Sequence, residues 1–205
     1  GETKEFIFGK YKGVKRQFNF GAPDQAWQDR KAQEIDKAVG VEMLAVKEVL
    51  LRHPRADKKY SADYVAKLCE EHQLPFVDVT FQPKPSSLAR DHEGKAPSYV
   101  WLRPASYCSS DSKPTLFVDK IEPNDIDQGS LGDCYLMCAL ACCSEFPVLV
   151  KDMFSYAQNP KLGIYRVRIC KNGWWQVCTV DDLLPINPVT RLPAYAKNRE
   201  EPNEL

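Results

Sequence analysis

Lys171-Asn172-Gly173 stands between two runs of alternating residues, and this limits the fold more than any other local feature. Ile164–Cys170 alternates Tyr165, Val167 and Ile169 against Arg166 and Arg168, and Trp174–Val180 alternates similarly. Asn-Gly accepts positive φ, so the pair predicts a tight antiparallel hairpin. Pro185 closes the strand region. Upstream, Cys134–Phe146 reads as an apolar helix with Pro147 behind it, and Val148–Ala157 reads as a second helical stretch. Helices followed by a hairpin place the chain in the α+β class.

The front of the chain reads differently. Residues 1–24 mix Phe6, Phe8, Tyr11, Phe18 and Phe20 with basic residues and Gly, which suits short strands or a docking arm. Asp24 is positioned to cap a helix running to about Leu51, with Gly40 as a candidate break. Ser61, with Tyr64 at the third position after it, predicts a short helix over Ala62–His72. Residues 75–115 are rich in Pro and Ser and read as ordered coil. The organisation expected is a helical N-terminal extension over 1–74, a connecting segment over 75–115, and a core over 116–205.

Composition narrows the function classes. The chain has 205 residues, with 28 Lys+Arg against 28 Asp+Glu. Zero net charge argues against a nucleic-acid binder or a polybasic membrane binder. The balance hides a net positive front, over residues 1–60, and a net negative remainder. Apolar residues make up 43%, enough for a packed core. No charged-then-apolar leader opens the chain and no apolar run is long enough to span a bilayer. The eight Cys are too sparse for a disulfide scaffold. The reading that follows is reduced thiols and a cytoplasmic location, without a transmembrane segment.

The chemistry centres on Cys134. Gln128-Gly129-Ser130-Leu131-Gly132-Asp133 leads directly into the apolar helix. Gly129 and Gly132 allow close backbone approach and a sharp turn. Cys134 then falls in the first helical turn, where free N–H groups and the positive dipole end favour a thiolate. Gln128 is placed to donate a hydrogen bond to a developing oxyanion. Nucleophile plus amide donor at a helix start is the front half of a cysteine-protease site. A blander reading stands beside it: Cys134, Cys138 and Cys142 share one helix face, and such a stripe is usually core. That reading is taken for Cys138, Cys142 and Cys143. Their spacing, with no nearby His, does not suit structural zinc or an iron–sulfur cluster.

Gln128-Gly-Ser-Leu-Gly-Asp-Cys134-Tyr-Leu resembles the active-site signature of the calpains, papain-like cysteine proteases regulated by calcium. Trp101-Leu-Arg-Pro104, Phe117-Val-Asp and Asn124-Asp-Ile resemble the family's approach to that signature. Gly163-Ile-Tyr, Gly173-Trp-Trp-Gln-Val and Val180-Asp-Asp-Leu-Leu-Pro185 resemble the hairpin after it, and Asn203-Glu-Leu205 the strip beyond. The likeness spans roughly residues 75–205, the first part of a papain-like catalytic core. It implies that Cys134 is the nucleophile and Gln128 the oxyanion donor. It also implies a Ca²⁺ ion held by the carbonyls of Val118 and Lys120 and the carboxylates of Asp125 and Glu204. The family usually has Gly where this chain has Lys120. By spacing alone, Asp125 reads equally as a turn residue and Glu204 as a solvated charge.

In calpains the catalytic His and Asn belong to a second subdomain. The only His residues here are His53, His72 and His92; all precede Cys134 and none lies in the family's His motif. They read as helix-surface or loop residues. The expectation is therefore an intracellular calcium-dependent endopeptidase acting on protein or peptide substrates, of which this segment alone is inactive. It would need the second subdomain carrying His and Asn. The alternative is a catalytically silent, calpain-like scaffold or cytoskeleton-associated regulator, with a cytoskeletal partner. A metal- or redox-sensing module built on Cys138, Cys142 and Cys143 is a third reading.

Overall fold

The computed structural model describes residues 25–55, 59–88, 99–108, 114–118, 120–198 and 204. The arm expected over residues 1–24, the Asp24 cap and His92 lie outside the described residues.

Helix α1, Gln25–Arg52, runs through Gly40 without a break. One face carries Val46 and, one helical turn on, Val49 and Leu50, all buried. Helix α2, Ala62–His72, starts where Ser61 predicts: the Ser61 hydroxyl accepts the Tyr64 N–H at 3.3 Å. Such a cap satisfies one orphan donor and stabilises a helix by about 1 kcal/mol. Gln73 ends α2 in the left-handed region at φ 53°. Val65, Ala66, Leu68 and Cys69 form its buried face.

The segment expected to be connecting coil carries more structure than its Pro content suggests. Strand β1, Val100–Leu102, pairs antiparallel with β4, Leu184–Ile186, in the register Trp101↔Pro185. Helix α3, Pro104–Tyr107, follows β1 directly. Pro185 therefore sits inside a strand rather than closing the region. It is tolerated because this sheet has only two strands, both edges. Trp101 is 4% exposed. It packs with Phe76, Val77, Val65, Ile164 and Leu183 in one core that also takes in the α1 and α2 faces.

Helices α4, Cys134–Ser144, and α5, Pro147–Met153, follow as expected, α5 ending earlier than the pattern suggested. Strands β2, Tyr165–Lys171, and β3, Trp174–Val180, form the predicted hairpin. Asn172 (φ 54°) and Gly173 (φ 81°) supply the two positive-φ positions of the turn. The result is an α+β arrangement with small antiparallel sheets.

Ion pairs tie the N-terminal helices to the rest. The Arg103 guanidinium donates through Nε and Nη2 to Glu42 of α1, at 3.1 and 2.7 Å. Its Nη2 also reaches the Phe76 carbonyl at 2.8 Å, and Nη1 pairs with Asp182. Burial alone would lower the Arg103 pKa; the Glu42 and Asp182 carboxylates leave it raised. Gly163, at φ 67°, lies against this pair, and a Cβ there would strike both Arg103 and Asp182. On the other side, Arg166 of β2 pairs with Asp63 and Glu70 of α2 at 3.6 and 3.4 Å.

Candidate active site

The loop before α4 is held from outside the helix. Asp127 and Lys197 exchange backbone hydrogen bonds at 2.9 and 3.1 Å, and their side chains pair at 3.1 Å. Gly129 then runs against the backbone of Ala194 and Tyr195, so closely that a Cβ would collide with both. Both the N–H and the hydroxyl of Ser130 reach the Ala194 carbonyl at 3.0 Å. Tyr99 Oη lies 3.0 Å from the Ser130 hydroxyl. Gly132 has open space where a side chain would stand. Its part in the expectation thus changes: it leaves room beside the helix start rather than permitting a close approach.

Cys134 is the first residue of α4 and is exposed. Asp133 occupies the N-cap position, yet no side chain caps the helix. The Asp133 carbonyl instead accepts the N–H groups of Leu136 and Met137, at 2.8 and 3.1 Å. The thiol therefore stands at the positive end of the helix dipole, beside first-turn N–H groups that no cap consumes. Gln128 is also exposed, and its Nε2 donates to the Leu131 carbonyl at 2.7 Å. One N–H of the carboxamide is thus engaged within the loop; the group carries a second.

The Cys stripe is not core. Cys138 and Cys142 are exposed and Cys143 is partly buried; Ser144 is the buried residue of α4. Helical spacing correctly put these thiols on a common face. The core, however, gathers on α1, α2, β1 and the start of β2, and it leaves the outer faces of α4 and α5 uncovered. Tyr135, Phe146 and Val148 are 76%, 66% and 76% exposed. No group of three or more His, Cys, Asp and Glu is gathered as a metal site among the described residues, so the Cys cluster has no such partners.

The four residues of the expected cation site come from two stretches of the sequence, residues 118–125 and Glu204. Asp125 ends a 3₁₀ turn, Pro123–Asp125, and its Oδ2 accepts the Glu122 N–H at 2.8 Å. Its turn role is thus realised. Glu204 forms a parallel bridge with Thr115, which sets it beside the strip leading to Val118 and Lys120. Its Oε2 accepts from Asn198 Nδ2 at 2.8 Å. Lys120 is exposed and Val118 half-buried.

The profile of the family described as calpain family cysteine protease matches residues 76–205. The chain belongs to the calpain family of cysteine proteases. Among curated relatives, it is 33% identical over 181 residues to a calpain-type cysteine protease, DEK1, of Arabidopsis thaliana. It is 32% identical over 146 residues to calpain-5 of Caenorhabditis elegans. With the calpain-1 catalytic subunit of Homo sapiens the identity is 33% over 144 residues. These matches cover 84%, 68% and 66% of this chain but 7%, 22% and 20% of the relatives. The plant match is longer than residues 76–205 can supply, so it reaches into the helical segment before Phe76.

The calpain-family segment is not self-contained in this structure. Phe76, its first residue, packs against α1 and α2, and its carbonyl accepts from Arg103. The motif in the sequence singles out Cys134 and Gln128 as candidates, but it does not name the contacts that fix their loop, which come from Tyr99, Ser130, Ala194 and Tyr195. Only Gly129 hinted at them, by marking a close approach whose partner no local signal names. No single described helix is long and apolar enough to cross a membrane. Helices α4 and α5 are apolar together, but the chain bends by 117° between them.

Proposed function

We propose that this chain is the nucleophile-bearing part of a calcium-dependent intracellular cysteine endopeptidase, with Cys134 as nucleophile and protein chains as substrate. The supporting observation is the exposed Cys134 at the uncapped start of α4, behind a loop fixed by Gly129 and Ser130. The thiolate attacks the scissile carbonyl carbon, forming a C–S bond while the carbonyl π electrons move to oxygen. That oxyanion takes hydrogen bonds from the first-turn backbone and from the second Gln128 N–H. The adduct then collapses: the C–N bond breaks, the amine leaves with the proton that a base on the second subdomain took from the Cys134 thiol, and water then cleaves the thioester. The apolar outer faces of α4 and α5 are the surfaces against which that subdomain would pack.

The oxygen donors proposed for calcium fit a hard cation. Asp125 accepts the Glu122 N–H through one carboxylate oxygen, and Glu204 accepts from Asn198 through one of its own. In support, the Thr115–Glu204 bridge sets Glu204 beside the stretch of chain that leads to Val118 and Lys120. Bound calcium would supply positive charge between the two carboxylates and tie their segments together.

Steady-state peptide hydrolysis by the full-length protein tests this reading. Cys134→Ala should abolish turnover, and Gln128→Ala should lower kcat by about 10²-fold or more. Full turnover in the Cys134→Ala protein would refute Cys134 as nucleophile, and no turnover in the parent would leave the scaffold reading.

A further inference from the structure

The Nε2 atoms of His53 and His72 face each other at 3.2 Å, with ring centroids 5.4 Å apart and planes inclined by 62°. The two residues come from the C-terminal ends of different helices, 19 positions apart in sequence. Two imidazole nitrogens bound to one tetrahedral Zn²⁺ at 2.0–2.1 Å stand about 3.3 Å apart. The 3.2 Å gap is an N–H···N hydrogen bond in length, and it also matches the bite of such a chelate. We propose that His53 and His72 form a binding site for a first-row divalent transition cation, of the class that prefers imidazole nitrogen.

The spacing is set by the core rather than by the rings. The His53 N–H closes the end of α1 on the carbonyls of Val49 and Leu50, at 3.1 and 3.2 Å, and both of those residues are buried. His72 ends α2, whose Leu68 and Cys69 are buried, and the chain after it is pinned by Leu74 N–H on the Cys69 carbonyl at 2.9 Å. Both rings are therefore presented by anchored backbone, while His72 stays exposed to incoming ions.

Without metal, one Nε2 must carry the hydrogen that the other accepts. Metal binding needs both lone pairs. The Nε2 proton is exchanged through solvent to Nδ1 of the same ring, so both rings stay neutral. No third His, Cys, Asp or Glu side chain joins them among the described residues, so water completes the coordination. This makes an exchangeable clamp rather than a closed structural site. It is distinct from the oxygen site proposed for calcium. Its place is also informative: α1 and α2 carry Glu42, Asp63 and Glu70, which hold Arg103 and Arg166 of the calpain-family segment.

Zn²⁺ titration of the protein, with exposed cysteines first alkylated, tests the site by ¹⁵N NMR of the histidine rings. His53 and His72 should shift together and saturate at one Zn²⁺ per chain, and the unfolding midpoint should rise. His53→Gln and His72→Gln should each weaken binding about tenfold or more and abolish the rise. Ca²⁺ at the same concentration should leave the rings unchanged. If the N–H···N contact persists in saturating Zn²⁺, or if either variant binds as the parent does, the site does not exist.

Discussion

At the scale of single residues, placement rather than identity decides what a group does. Asp181 accepts backbone N–H bonds from Asp78 and Leu183, at 2.7 and 3.1 Å, inside the protein. Burial dominates those bonds and pushes its pKa up to about 6. A carboxyl raised above its unfolded value stabilises the fold when protonated. Its contribution is therefore full below about pH 4 and is lost as pH rises through about 6. Thermal unfolding of the parent and of Asp181→Asn should show the parent gaining on the variant between pH 7 and pH 5, on the order of 1 kcal/mol. A difference that does not change with pH would contradict the assignment. Gly129 is the other telling residue. Ala there must displace the Ala194–Tyr195 backbone, and overpacking of this kind costs about 1–3 kcal/mol. Chemical denaturation should show that loss, whereas Gly132→Ala, facing open space, should be nearly neutral.

Among elements, the N-terminal helices are part of the core. Arg103 sits between Glu42 of α1 and Asp182, with side chains 17%, 31% and 12% exposed. Replacing it with Met leaves two mostly buried carboxylates facing each other and should cost about 3 kcal/mol, read as a lowered denaturation midpoint. Glu42→Gln should cost less, since one carboxylate still pairs with the guanidinium. Local elements were well marked in the sequence. Ser61 capped α2, and Asn172-Gly173 turned the hairpin, because both signals act within a few residues. The β1–β4 pair was not legible. Its partners lie far apart in sequence, and its Pro185 argues locally against a strand. The Cys stripe was half legible: its spacing gave a shared face, but what covers a face is a tertiary property, and here the core lies elsewhere.

For the whole molecule, the sequence motif around Cys134 marked both the family and the candidate nucleophile, while the loop's supports came only from the three-dimensional arrangement. The calcium proposal belongs at this scale, because Asp125 and Glu204 come from distant segments. Asp125→Asn retains an oxygen for the Glu122 N–H but removes charge from the donor set. Calorimetric titration should then show Ca²⁺ affinity lowered about tenfold or more, with the turn intact. Unchanged affinity would remove Asp125 from the site.

The central claim is that Cys134 is the nucleophile, and covalent mapping tests it most directly. The full-length protein, with calcium present, is treated with a peptidyl epoxide or vinyl-sulfone, and the modified peptide is identified by mass spectrometry. A single adduct on Cys134, absent from Cys134→Ala, is the expected result. An unmodified Cys134, or equal labelling of Cys138 and Cys142 on the same exposed face, would contradict it.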